Sequence, residues 1–283
     1  MRYLFKFLLL ITFCTALVHA QEYPKVQADM HNYLLNMKTI VTAGVQSRID
    51  WQYIIQNGKL TTDSFKERVL KYDIRGRIKE CENIDKNGII QSILVFRYDN
   101  QNLPVMETEF MPTGEMIAKT KYTYDLKGRL QDITWLNNNE FIIRKNTYEI
   151  DENAKSITER QFTSPDSVIK KTTYIYTDLN NGLIRDEWSY KGENILDFKK
   201  IINRNNNDKI EIEEYRNSGG ELTFSLKYYY DTNGNLITVL SLFPDGTEVK
   251  KFEYNYGNSG LITGEIKYNQ KGAIIQFHKY CYD

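Results

Sequence analysis

Apolar and polar positions along this chain alternate with a period of two. Tyr122 and Tyr124, Tyr174 and Tyr176, Tyr228 and Tyr230, Tyr254 and Tyr256, and Tyr280 and Tyr282 each stand two apart, with polar neighbours such as Thr123, Glu253 and Lys279. Side chains two apart share one face of a strand. These segments therefore predict strands with one aromatic face and one mostly polar face. The intervening segments alternate as well, as in Ile210-Glu211-Ile212-Glu213. The three-and-four spacing of an amphipathic helix is not seen there.

Turn chemistry separates the strands. After Lys121-Tyr122-Thr123-Tyr124 comes Asp125-Leu126-Lys127-Gly128, and the chain returns through Arg129-Leu130. The glycine of this turn recurs as Gly76, Gly182, Gly234 and Gly260, with Asn102 once in its place. A second turn reads Lys86-Asn87-Gly88, Pro112-Thr113-Gly114, Ser218-Gly219-Gly220, Pro244-Asp245-Gly246 and Lys271-Gly272. Gly and Asn tolerate the positive φ that tight hairpins demand. The residue closing each aromatic strand falls at Tyr72, Tyr98, Tyr124, Tyr148, Tyr176, Ile202, Tyr230, Tyr256 and Tyr282, a step of about 26 residues. Each period holds two strands and two turns, so the chain predicts about sixteen strands, plus an earlier hairpin at Gln56-Asn57-Gly58-Lys59. The fold class expected is all-β: a long antiparallel meander over 45–283, forming a curved open sheet with its tyrosine face inside.

Residues 21–44 lack the repeat and suggest a short helix around Ala28 to Met37, capping the first sheet edge. Residues 1–20 read as a secretory signal: Arg2 and Lys6, an apolar run from Phe7 to Val18, and small residues before Gln21. Export of a periplasmic, secreted or surface protein is the expectation.

Composition adds 21 Tyr and a balance of 37 Lys+Arg against 37 Asp+Glu, which offers no basic excess for nucleic acid. Cys81 and Cys281 remain after signal removal, and two separate thiols are the preferred reading over a disulfide.

Tyr124-Asp125-Leu126-Lys127-Gly128-Arg129-Leu130 and Tyr230-Asp231-Thr232-Asn233-Gly234-Asn235-Leu236 resemble the YD repeats of RHS-type proteins, and Tyr72-Asp73-Ile74-Arg75-Gly76-Arg77-Ile78 matches with Ile for Leu. The resemblance covers roughly Val45 to Asp283 and is to the small exported forms common in Bacteroidetes-type bacteria. Large members build a hollow β-shell around a toxic domain, and some are said to bind carbohydrate. The resemblance implies the repeat fold here and not the cargo. The strand number estimated here falls short of a closed shell.

Candidate chemistry is sparse. His31 and His278 have no Cys or carboxylate at ligand spacing, and no nucleophile elbow, phosphate loop or nucleotide fingerprint occurs, so no metal or cofactor is expected. The repeated Asp73, Asp99, Asp125 and Asp231 could line a calcium-binding rim, but an aspartate opening a turn accepts backbone N–H bonds, and that structural role is preferred. Glu80 and Glu82, Glu107 and Glu109, and Glu211 and Glu213 are pairs that could serve glycoside hydrolysis, with cross-strand charge pairing the simpler reading. Trp51, Trp135 and Trp188 are candidate stacking platforms for sugar rings, against a plain packing role.

Together these point to a non-catalytic, exported repeat scaffold that binds a protein or polysaccharide at the cell envelope. The alternatives are a structural envelope protein or repeat remnant without a ligand, and a carbohydrate-active enzyme. A membrane-spanning barrel is disfavoured because Lys and Glu recur along the polar face.

Overall fold

The computed structural model describes residues 37–164, 167–178 and 183–283. A helical turn over 37–42 leads into eighteen strands. The first six are β1 (Ser47–Gln56), β2 (Lys59–Tyr72), β3 (Ile78–Ile84), β4 (Ile90–Tyr98), β5 (Pro104–Phe110) and β6 (Met116–Tyr124). The next six are β7 (Leu130–Asn137), β8 (Ile142–Asp151), β9 (Ser156–Ser164), β10 (Ser167–Asp178), β11 (Leu183–Lys191) and β12 (Ile195–Arg204). The last six are β13 (Ile210–Asn217), β14 (Leu222–Tyr230), β15 (Leu236–Leu242), β16 (Glu248–Tyr256), β17 (Ile262–Asn269) and β18 (Ile274–Tyr282).

Every strand pairs antiparallel with its chain neighbours, and β1 pairs with β18 as well as with β2. The sheet is therefore a closed 18-stranded barrel. This corrects the open sheet: the register Arg48↔Tyr282 through Gln52↔His278 joins the two ends. The hairpin before the regular repeats supplies the closing strand, and closure removes both edges. The proposed helix over Ala28 to Met37 and the signal segment 1–20 lie outside the described residues, apart from Met37. No helix among the described residues is long and apolar enough to cross a membrane.

The Tyr-Asp turns share one construction. Asp125 N–H donates to the Arg129 carbonyl at 2.8 Å, and Gly128 N–H to the Asp125 carbonyl at 2.9 Å. Gly128 has φ +76, and a register shift follows at Thr123/Tyr124. This is a type I turn closed by a glycine bulge, one of the common hairpin solutions.

Buried side chains identify the inner wall: Leu70, Tyr72, Tyr122, Ile133, Tyr148, Tyr176, Leu226, Phe252 and Tyr280 sit on the tyrosine face of their strands. Clusters of these residues run from strand to neighbouring strand around the ring. Met37 and Ile40 of the helical turn pack onto the same face at the Tyr-Asp end, against Leu70, Tyr72 and Leu103. A ring of eighteen strands is wider than its own wall side chains can fill.

Candidate functional site

The inner wall has two halves. Toward the Tyr-Asp turns it is tightly packed tyrosine, leucine and isoleucine. Toward the other turns Trp135, Phe198, Tyr215 and Phe224 are half-buried, together with Gln52, Gln161, Asn217 and Gln276. Strand pairing brings the aromatic residues of β12, β13 and β14 together, because Lys200 opposes Tyr215 and Tyr215 opposes Phe224. The Tyr215 and Phe224 rings stack with centroids 4.1 Å apart and 12° between planes, and Phe198 leans in at 6.3 Å. Below them Lys200 bridges Glu187 at 2.7 Å and Glu213 at 3.9 Å, while the Tyr215 hydroxyl donates to Glu213 at 2.9 Å. Trp135 lies farther round the same wall, under the Arg144 guanidinium at 3.6 Å. Burial lowers the Arg144 pKa, with Glu159 pulling the other way.

Between the two halves lies a level that the sequence reading passed over. Cys81, Glu107, Ile133, Glu159, Glu187, Glu213, Val239 and Glu265 all face inward at one repeat slot. Their 26- or 28-residue spacing is visible in the sequence. Tyrosines fifteen residues later bond several of these carboxylates: Tyr174 to Glu159 at 2.8 Å, Tyr280 to Glu265 at 3.3 Å and Tyr122 to Glu107 at 3.5 Å. Tyr148 also donates to Glu159, at 3.0 Å, and the Asn146 amide bonds the same carboxylate. Burial, then Glu159, pushes Tyr174 well above the ordinary tyrosine value. Phenols that hold their protons this firmly serve as fixed hydrogen-bond donors.

The structure separates the three tryptophans. Only Trp135 is on the inner wall; Trp51 and Trp188 are on the outer face, where Lys66 and Lys199 lie 5.9 and 4.9 Å from their rings. Trp135 and Trp188 look alike by position in their strands, yet they differ by one residue relative to the shared slot. One residue of offset flips a side chain to the other face. The supposed carboxylate pairs also divide. Glu80 and Glu82 share Lys71 on the outer wall at 2.6 and 2.8 Å, Glu107 and Glu109 face inward, and Glu211 is exposed while Glu213 is buried.

Asp73, Asp125 and Asp231 sit in their turns as backbone acceptors. Each Oδ1 takes the N–H of the second and fourth residues after it, at 2.8–3.0 Å. The second oxygen of Asp125 binds Arg129, and that of Asp231 binds the Asn235 amide. Burial works against ionisation of Asp125, but the bonds from Arg129 and Lys127 outweigh it and hold the carboxyl below its usual value. A shallow hollow of about 540 Å³ beside Tyr124, Leu126 and Gln131 borders this already saturated turn. Among the described residues no three His, Cys, Asp or Glu side chains are grouped to hold a metal ion. Cys81 faces inward, where burial raises its thiol to about 11; Cys281 lies on the other face of the wall, and both are free thiols. That placement also separates Cys281 from the inward-facing His278.

No family model matches the chain. No curated protein matches it either. Among solved structures it is similar to a porin-like protein from Bacteroides uniformis, at 9% identity and TM-score 0.34, covering 85% of this chain and 97% of that one. A porin-like protein from Bacteroides vulgatus follows at 10% identity and TM-score 0.29, covering 84% and 98%. A DUF1329 family protein from Desulfovibrio piger has 13% identity and TM-score 0.27, covering 89% and 91%. At TM-scores this low the likeness says nothing of what this chain does.

Proposed function

We propose that this chain is a non-catalytic, exported YD-repeat barrel of the cell envelope that binds a protein or glycan on its concave inner wall. The observation carrying the reading is the half-open aromatic sector, where the Tyr215–Phe224 stack and Trp135 sit among amide side chains. Aromatic faces beside hydrogen-bonding amides suit a ligand that is apolar on one side and polar at its edges. The outer wall supports a barrel that stands in water. Its mid-strand charges pair between strands, as Lys145 with Asp132 at 3.3 Å and Arg160 with Glu149 at 2.8 Å. A lysine or arginine facing lipid at the bilayer midplane costs about 2–4 kcal/mol.

The test is capture by the immobilised chain, residues 21–283, from envelope extract and from a polysaccharide panel. A saturable partner is expected. Tyr215→Ala or Trp135→Ala should weaken its binding at least about tenfold, equivalent to about 1.4 kcal/mol. Binding unchanged in both variants would move the site off the inner wall, and no partner in either pool would leave a structural envelope protein.

A further inference from the structure

We propose that the junction between β1 and β18 is an acid-responsive gate, the place where the barrel opens when the pH falls. Seventeen of the eighteen strand junctions join chain neighbours; this one does not. An opened hairpin stays tethered by its short turn, whereas the partners here, such as Gln52 and His278, are joined only through the rest of the ring.

The seam's own ladder is as long as those of several hairpins, such as β3 with β4. It runs from Arg48↔Tyr282 to Gln52↔His278 and is finished by the Gln46 and Ser47 N–H groups on the Asp283 carbonyl at 2.6 and 3.0 Å. Its inner side carries a concentration of buried charge. Asp50 is fully buried, with Arg48 at 2.7 Å and Arg68 at 3.0 Å. The Arg48 guanidinium lies 5.1 Å from the Tyr280 ring, and Tyr280 donates to Glu265. His278 is 3% exposed, with its Nε2 3.6 Å from Glu67.

The groups facing His278 balance without it. β1 contributes Arg48 and Asp50, β2 contributes Glu67 and Arg68, β17 contributes Glu265 and Lys267, and Tyr280 on its own strand is neutral. A proton on His278 therefore adds net positive charge to a balanced, largely buried set, and Glu67 and Asp50 meet it only in part. Burial first, then Arg68, lowers its pKa from 6.5 to about 4. An open seam would hydrate the ring and restore its ordinary affinity for a proton. The open form then binds more protons between pH 6.5 and 4, so the closed seam loses stability as the pH falls through that window, by on the order of a hundredfold in the opening equilibrium. Glu265 acts in the opposite sense. Burial raises its pKa, so the closed form takes up its proton more readily and acid favours closure through this residue.

Backbone hydrogen exchange of the full chain at pH 7 and pH 5, corrected for intrinsic rates, reads the gate directly. In the wild type, β1 and β18 amides should lose roughly tenfold or more of their protection at pH 5 while β14 and β15 amides hold theirs. H278Q should flatten that dependence and E265Q should steepen it. Equal loss in the seam and in β14–β15 would overturn the proposal, as would a wild-type pH dependence in a folded H278Q. Should H278Q fail to close at neutral pH, the wild-type comparison and E265Q still decide it.

Discussion

The turn glycines are required by backbone conformation, and one of them also by a neighbour. Gly76 and Gly88 have φ of +73 and +81. A Cβ on Gly88 would meet nothing within 4 Å, whereas one on Gly76 would lie 2.5 Å from the Met37 carbonyl and 2.9 Å from Val41. Both substitutions to alanine carry the cost of positive φ, of order 1 kcal/mol. Gly76→Ala should cost more, because it must also displace the helical turn over 37–42. Thermal melts of the two variants give the difference; equal shifts would mean that the turn yields freely. The aspartate opening the first turn was legible in sequence for the same local reason, whereas Asn205 is placed in that role only by the structure. Asp73, Asp99, Asn205 and Asp231 each accept the N–H groups two and four residues on.

Between elements, the recurring geometry is a tyrosine of one repeat bonded to the previous one. Tyr98, Tyr124, Tyr230, Tyr256 and Tyr282 donate to the carbonyls of Ile78, Pro104, Ile210, Leu236 and Ile262, all twenty residues earlier, at 2.7–2.9 Å. These carbonyls sit at the bulged strand starts, and the phenol supplies their donor. Tyr98→Phe and Tyr256→Phe should each cost about 1 kcal/mol, and together about the sum, since they lie in separate repeats. Denaturant midpoints of the single and double variants check this. The spacing of two placed these tyrosines on one face. It did not reveal that Glu107, Glu159, Glu213 and Glu265 share that face, because carboxylates in a half-polar strand read as solvent-facing. Only the shared 26-residue slot marks them.

For the whole molecule, closure concentrates charge at the seam. Asp50→Ala would strand Arg48 and Arg68 without their common partner, and removing one member of a buried pair costs about 3–5 kcal/mol. The seam should yield first. A chain lacking residues 1–56 should show more than loss of stability: β2 and β18 become free edges, and association by light scattering is expected to rise. A monodisperse truncated chain would show that the remaining seventeen strands close without β1.

Strand identity, turn positions, strand number and the tyrosine face were determined by the sequence alone. Each rests on contacts within one or two repeats, where alternation and turn chemistry act locally. Closure was decided only in the tertiary structure, because the pairing of Arg48–Gln52 with His278–Tyr282 depends on twist summed over eighteen strands. The split of Trp135 from Trp188 was decided there too. The bulges at most turns shift the register by single residues, and a single residue chooses between the inner and the outer wall.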